Sequence, residues 1–257
     1  MSFRYDNFTK VTRKNRKTKG QAERPPLISL VRKAAEDLRQ DDWNASWQRL
    51  LHDRIQTLPE RPCKLICLGL GSPTESANSR AQLAFLLEIC GAVPIEHANV
   101  ALYDPVFSQE DETLFGELGM RLLADNKDGS YPLDAPTILW MPHCDLELYE
   151  NVLSANWSHD KLAFMTLIAN RLGDYVDSNP MARLQKRAPR LVRIADVLEC
   201  RPLPAPSAWT TAFNTIAIQW VAEASVSDLF ELPETHSSAD EGPEVDTNIQ
   251  DVHSIPR

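Results

Sequence analysis

Hydrophobic side chains first recur along this chain with helical spacing. Between residues 27 and 58 they occupy every third or fourth position in two runs, 27–38 and 43–55. This spacing predicts two amphipathic helices, interrupted at 41–42, whose apolar faces pack on the rest of the protein. Because proline cannot continue a helix, Pro59 ends the segment.

Past residue 59, short apolar runs alternate with helical segments. The helices are expected at 79–90, 108–119 and 146–153, and the apolar runs predict strands at 64–69, 99–104, 136–141, 162–169, 191–199 and 213–221. This alternation implies right-handed crossovers and a mainly parallel sheet with helices on both faces. The last two strands could form an antiparallel edge pair. The expected fold is α/β, a single Rossmann-like domain with N-terminal helices and disordered tails.

Two of the expected helices carry capping signals. Ser79 with Gln82, and Ser108 with Asp111, have the spacing of a capping box, in which the first side chain accepts a hydrogen bond from a helix amide three residues on. Gly119 marks the end of the second helix, because glycine readily adopts the backbone conformation that follows a helix.

Charge separates the two ends of the chain from its middle. Residues 10–24 contain seven bases and one acid, whereas the chain after 226 contains eight acids and one base. Neither end has the apolar content to fold alone. We therefore expect a basic disordered arm at 1–26, N-terminal helices at 27–58, the α/β domain at 59–226 and an acidic disordered tail at 227–257. The arm is a solvated tail in one interpretation and a nuclear import signal or nucleic-acid contact in the other.

Composition limits the class of protein. The 257 residues are 43% hydrophobic and 25% charged, with a net charge of −9. No apolar run reaches the roughly 18 residues of a membrane span, and the N-terminus has no secretory signal pattern. The five cysteines are scattered without a CxxC pair, so neither a disulfide framework nor a structural zinc site is expected. We expect a cytoplasmic or nuclear protein, or both, that binds no membrane and no nucleic acid over its folded part.

Polar residues and residues with special backbone geometry follow four successive strands. In an open parallel sheet, ligands bind outside the carboxyl ends of the strands. The candidate binding residues are therefore Gly69, Gly71, Ser72, Ser79 and Arg80 after the first strand, Asp104 after the second, Met141, Pro142, His143 and Cys144 after the third, and Asn170 after the fourth.

The glycine loop after the first strand allows two interpretations. Position 74 is threonine where the dinucleotide fingerprint needs a third glycine, and no Walker lysine follows. Helix amides, hydroxyls and the Arg80 guanidinium could still hold a small anion. Alternatively, the glycines only shape the turn and Ser79 only caps the helix.

The residues at the other strand ends also allow more than one interpretation. Asp104 could hold a ribose hydroxyl, as in methyltransferase-type sites, or start an Asp-Pro turn. His143 and Cys144 could act as base and nucleophile or as ligands of a metal or haem, but neighbouring residues at a strand end point in different directions. No GxSxG elbow is present. We therefore assign no catalytic residue, no metal ligand and no cofactor.

Five motifs in order resemble one family. GLGSPTESANSRAQLAFLL, LYDPVF, TILWMPHCDLELYENVLSANW, LIAN and FNTIAI, spread over about residues 60–220, are similar to the sensitivity-to-red-light-reduced (SRR-like) domain family. The resemblance implies a regulatory protein with protein partners. Its members are associated with circadian and light signalling in plants, microtubule-related phenotypes in fungi, and haem biosynthesis and cell proliferation in animals. The alternative is a Rossmann-like enzyme or sensor that binds a nucleotide or S-adenosylmethionine-like ligand at the strand ends.

Overall fold

A computed structural model of the chain describes residues 25–231. Most of the basic arm and the acidic tail from 232 onward lie outside the described residues. Within residues 25–231, seven strands form one sheet in the order β3-β2-β1-β4-β5-β7-β6. The strands are β1 Lys64–Leu68, β2 Val100–Tyr103, β3 Arg121–Leu122, β4 Thr137–Met141, β5 Met165–Asn170, β6 Leu198–Pro202 and β7 Ile216–Val221.

Helices cover both faces of this sheet. They are α1 Leu27–Arg39, α2 Trp43–Gln56, α3 Ala77–Ala92, α4 Gln109–Glu117, α5 Leu146–Ala155, α6 His159–Phe164, α7 Leu172–Asp177, α8 Met181–Arg187, α9 Pro189–Ala195, α10 Thr210–Phe213 and α11 Glu223–Glu231. None of the helices within residues 25–231 is long and apolar enough to cross a membrane.

Strand direction confirms the expected α/β class. β1 pairs in parallel with β2 and β4, β2 with β3, and β4 with β5. β7 runs antiparallel to both β5 and β6, so among the strands of the described residues β7 alone opposes the other six. The expected antiparallel pair at one edge is therefore confirmed. The two-residue strand β3 was not predicted, because it is too short to show a pattern.

Alternating residues of the strands point into two cores. Ile138 and Trp140 on β4 join a core with side chains of α1, α2, α3, α4 and α10. Leu139 and Met141 join a second core with α5, α6, α7, α8, α9 and α11. In the first core, Phe85 of α3 lies 5.0 Å from the ring of Trp43. This contact packs α2 against α3, and the apolar stripe of α2 faces the core as predicted.

The structure places several boundaries differently from the prediction. Residues 162–164 belong to helix α6 rather than to a strand, and residues 191–195 belong to α9, because a short buried apolar run suits either structure. The last strand begins at Ile216 rather than at 213, where α10 ends. Helix α11 crosses position 226, since Val226 and Leu229 are buried in the second core.

Candidate functional site

The glycine loop between β1 and α3 is held by hydrogen bonds from within the protein. Gly69 and Gly71 both have φ of +71°, a conformation that favours glycine. Gly71 N–H donates to Asp104 Oδ2 at 2.8 Å. A Cβ at Gly71 would lie 2.6 Å from Ser79 Oγ, which leaves no room for a side chain. Asp104 also accepts Val106 N–H at 3.1 Å, so this carboxylate braces two turns.

A second carboxylate, Asp111 of α4, anchors the next part of the loop. Its buried side chain accepts bonds from Thr74 N–H and Thr74 Oγ at 2.7 Å and from Ser72 Oγ at 2.6 Å. It also accepts Ser108 N–H at 2.8 Å, and Ser108 Oγ accepts Asp111 N–H, which confirms the predicted capping box. Burial raises the pKa of Asp111, but the bonds from Ser72, Ser108 and Thr74 outweigh it and lower this pKa below its ordinary value.

The start of α3 differs from the sequence prediction. The N-cap is Ser76, whose Oγ accepts Ser79 N–H at 3.3 Å, so the Ser79–Gln82 capping box is wrong. Gln82 instead donates to the carbonyl of Ala212 at 3.0 Å, which ties α3 to α10. Arg80 donates to the carbonyl of Pro73 at 2.7 Å. Several donors of this loop are thus bonded inside the fold, among them Gly71 N–H, Ser72 Oγ and Arg80 Nη1.

His143 and Asn170 form a hydrogen-bond network across the ends of β4, β5 and β7. Asn170 Oδ1 accepts His143 N–H at 2.7 Å, and Asn170 Nδ2 donates to Thr215 Oγ at 2.7 Å. The same Nδ2 lies 3.3 Å from His143 Nδ1, while His143 Nε2 lies 3.2 Å from the carbonyl of Ala212. Donor and acceptor roles then match only if Nε2 carries the proton.

The two residues that hydrogen-bond to Asn170, His143 and Thr215, both have unusual backbone conformations. His143 has φ of +54° and Thr215 has φ of +62°, two conformations that non-glycine residues rarely adopt. The bonds through Asn170 hold both residues in place. Sequence reasoning identified His143 and Asn170 from their strand-end positions, but it missed Thr215, whose signal was the N-T dipeptide before the last strand.

Met141, Pro142 and Cys144 are all buried at the end of β4. Cys144 Sγ lies 3.4 Å from the carbonyl of Leu68, and a Cβ at Gly69 would lie 2.5 Å from the same sulfur. Burial first, and then the nearby carboxylates of Asp145 and Asp104, raise the pKa of the Cys144 thiol well above its ordinary value. The sulfur is therefore a protonated packing group.

An open cavity of about 410 Å³ lies beside this packing, at the carboxyl ends of β1, β2 and β4. Two of the eleven candidate residues, Gly69 and Cys144, line it. The remaining lining residues are Leu68, Tyr103, Pro105, Asn126, Asp128, Gly129, Tyr131, Asp145, Glu147, Leu148 and Asn151. This cavity is at the edge of the sheet where the sequence placed a site, but most of its walls come from other residues.

Sequence reasoning missed these walls for two reasons. Asn126, Asp128 and Tyr131 lie in the irregular connection between β3 and β4, where no strand end marks them. Asp145 has the sequence signature of a helix cap, and it does cap α5 by accepting Leu148 N–H at 2.8 Å. Within residues 25–231 no three His, Cys, Asp or Glu side chains are grouped to hold a metal ion.

Comparison with known proteins gives the family. The family model described as SRR1 domain matches residues 47–220. The SRR1-like protein of Mus musculus is 33% identical over 135 residues, 52% of this chain and 54% of that protein. Protein SENSITIVITY TO RED LIGHT REDUCED 1 of Arabidopsis thaliana is 29% identical over 116 residues, 45% of this chain and 42% of that protein.

The chain spans about half the length of the curated relatives it matches. A crystal structure of a Corynebacterium glutamicum protein aligns over 76% of this chain and 90% of that one, with 16% identity and a TM-score of 0.39, too low to show a common fold. The SRR1 match covers more than half of the sequence and includes every motif on which the resemblance was based. The chain therefore belongs to the SRR1 domain family.

Proposed function

We propose that this SRR1-like chain is a regulatory protein that senses a small molecule through the cavity at the ends of β1, β2 and β4. The observation that carries the proposal is the cavity itself, because about 410 Å³ lies within the usual range of small-molecule sites. Its position at the carboxyl edge of a parallel sheet is also where open α/β folds bind ligands.

The cavity supports this function better than the glycine loop does. Several donors of the loop already bond to groups of the protein, namely Gly71 N–H, Thr74 N–H and Arg80 Nη1. The cavity, by contrast, combines apolar walls such as Leu68 and Leu148 with a few polar groups, among them the amide of Asn151. This mixture is typical of small-molecule sites, in which apolar area supplies affinity and a few polar atoms orient the ligand.

The side chains near the cavity favour sensing over catalysis. Cys144 is the one cysteine among the described residues that line the cavity, and burial keeps its thiol protonated. The ring of His143 is engaged by Asn170 and by the carbonyl of Ala212, so its nitrogens already serve the fold. The Arabidopsis relative is named for sensitivity to red light, and a role of this regulatory kind, with protein partners, is what we propose here.

A thermal-shift screen tests the proposal. The panel contains nucleosides, nucleotides, S-adenosylmethionine and its product, NAD(P), haem and divalent metals. A ligand that binds only the folded state raises the melting temperature in a saturable way. We expect at least one such shift, and we expect Asn151→Trp to abolish it, because the indole would occupy the cavity.

Ser154→Trp is the matched control. Ser154 is exposed on the same helix, α5, and does not line the cavity. The shift should survive in this variant, and both variants should melt cooperatively without ligand. A panel that produces no shift, or a shift that Asn151→Trp leaves intact, would contradict the proposed site.

A further inference from the structure

The side chains around the cavity carry charge of one sign. Its lining includes three carboxylates, Asp128, Asp145 and Glu147, and neither lysine nor arginine among the described residues. Two phenol rings, Tyr103 and Tyr131, line the same space. A phosphate group would meet like charge here, whereas a positive group would be attracted.

Two of the three carboxylates are available to a ligand. Glu147 forms an ion pair with Arg187, which offsets its charge. The ion pairs formed within residues 25–231 include neither Asp128 nor Asp145. Lys127 is adjacent to Asp128 along the chain, but its side chain is exposed and is not part of the lining. The uncompensated charge at the cavity is therefore negative.

The start of α5 does not reverse this sign. Asp145 and Leu148, at the start of α5, both line the cavity, and helix amides at such an end ordinarily attract anions. Here Asp145 caps the helix and Glu147 follows in its first turn, so two carboxylates offset the helix charge. Burial raises the pKa of Cys144 in the cavity wall, and the negative charges of Asp145 and Asp104 raise it further.

We propose, building on the proposed function of this cavity, that its ligand is an aromatic cation rather than a phosphate. The chemical class is a nucleoside or similar flat heterocycle that carries a sulfonium or ammonium group. Tyr103 and Tyr131 place aromatic rings in the lining, and such rings stack on flat heterocycles and attract cations. Asp128 and Asp145 balance the positive charge.

Isothermal titration calorimetry of the full chain with matched adenosine derivatives separates charge from shape. The probes are S-adenosylmethionine, S-adenosylhomocysteine, which lacks the sulfonium charge, and adenosine monophosphate. We expect S-adenosylmethionine, with one more positive charge, to bind about fivefold more tightly than S-adenosylhomocysteine, a zwitterion whose ammonium and carboxylate cancel in net charge. Adenosine monophosphate should bind more weakly than both.

Asp145→Asn tests the residue behind this preference. Asparagine is also a good N-cap, so α5 should remain folded. The variant should lose about fivefold in affinity for S-adenosylmethionine and keep its affinity for S-adenosylhomocysteine within about twofold. Asp53→Asn removes the same charge from an exposed position on α2, outside the cavity, and should change neither affinity.

The possible failures separate this inference from the proposed function. If adenosine monophosphate binds as tightly as S-adenosylmethionine, or if Asp145→Asn lowers both affinities equally, the assigned ligand charge is overturned. The cavity still stands as a ligand site in that case, provided that Asn151→Trp abolishes the binding. If none of the three probes binds, this inference is overturned, and the wider thermal-shift panel decides the proposed function separately.

Discussion

Replacing the carboxylate of Asp111 by an amide tests how the glycine loop is held in place. One of its oxygens accepts Thr74 N–H at 2.7 Å, and the other accepts Ser108 N–H at 2.8 Å. Asp111→Asn preserves the shape of the side chain but converts one oxygen into an N–H donor. Whichever way the amide turns, this donor then faces one of the two backbone N–H groups.

The expected loss of stability follows from these contacts. A buried backbone donor without a partner costs about 1–3 kcal/mol, and loss of the charge weakens the remaining bonds by roughly 1 kcal/mol more. We therefore expect Asp111→Asn to lower the free energy of unfolding by about 3 kcal/mol. For a domain of this size, that loss corresponds to a fall of about 6–12 °C in the melting temperature.

The carboxylate of Asp111 also makes the difference in stability between wild type and Asp111→Asn depend on pH. The pKa of Asp111 is lowered in the folded protein, because its hydrogen bonds outweigh the effect of burial. A group with a lowered folded pKa stabilises the fold above its unfolded pKa of about 3.9, and this contribution is lost as pH falls through the folded pKa. The gap between wild type and Asp111→Asn should thus be complete at pH 7 and shrink below about pH 4.

Circular dichroism melts of wild type and variant between pH 7 and pH 3 measure both effects. The control is Glu110→Gln, which makes the same chemical change at an exposed position in the same helix turn. Surface substitutions of this kind change stability by about 0.5 kcal/mol or less. An Asp111→Asn variant that melts within 2–3 °C of that control, roughly the size of a 1 kcal/mol effect, would refute this account of the loop.

Three other tests address the packing. Gly69→Ala should cost about 1–3 kcal/mol, and adding Cys144→Ala should recover part of the loss, because the new Cβ would lie 2.5 Å from Sγ; fully additive melting shifts would argue against the clash. Iodoacetamide at pH 8 should label exposed Cys63 much faster than Cys144, as mass spectrometry would show; equal rates would contradict a buried, protonated thiol. Arg54→Met should cost about 2–4 kcal/mol, since buried Arg54 bonds two backbone carbonyls and two threonine hydroxyls. The exposed control Arg49→Met on the same helix should cost much less, and similar melts would count against this role.

Local patterns in the sequence were enough to predict most of the fold. The spacing of apolar residues identified α1 and α2, and the continuous apolar runs identified β1, β2 and β4, because these patterns reflect burial on one stripe or on both faces. Ser108 and Asp111 predicted the start of α4 correctly, since a capping box involves residues only three apart. Five motifs in order were enough for the family resemblance, which the SRR1 match confirmed.

The sequence by itself therefore determined the α/β class, the order of the elements from α1 to α5 apart from β3, the family and the edge of the sheet at which a ligand is expected. The tertiary structure decided which groups are free to meet that ligand. Arg80 and Asp104 have the right chemistry for binding, but Arg80 donates to the carbonyl of Pro73 in the preceding loop, and Asp104 accepts the N–H of Gly71, which is distant in the chain. Asp128 reaches the cavity only because the connection before β4 folds over the strand ends. Hydrogen bonds and cavities between distant segments depend on three-dimensional packing, and periodicity along the chain carries no record of them.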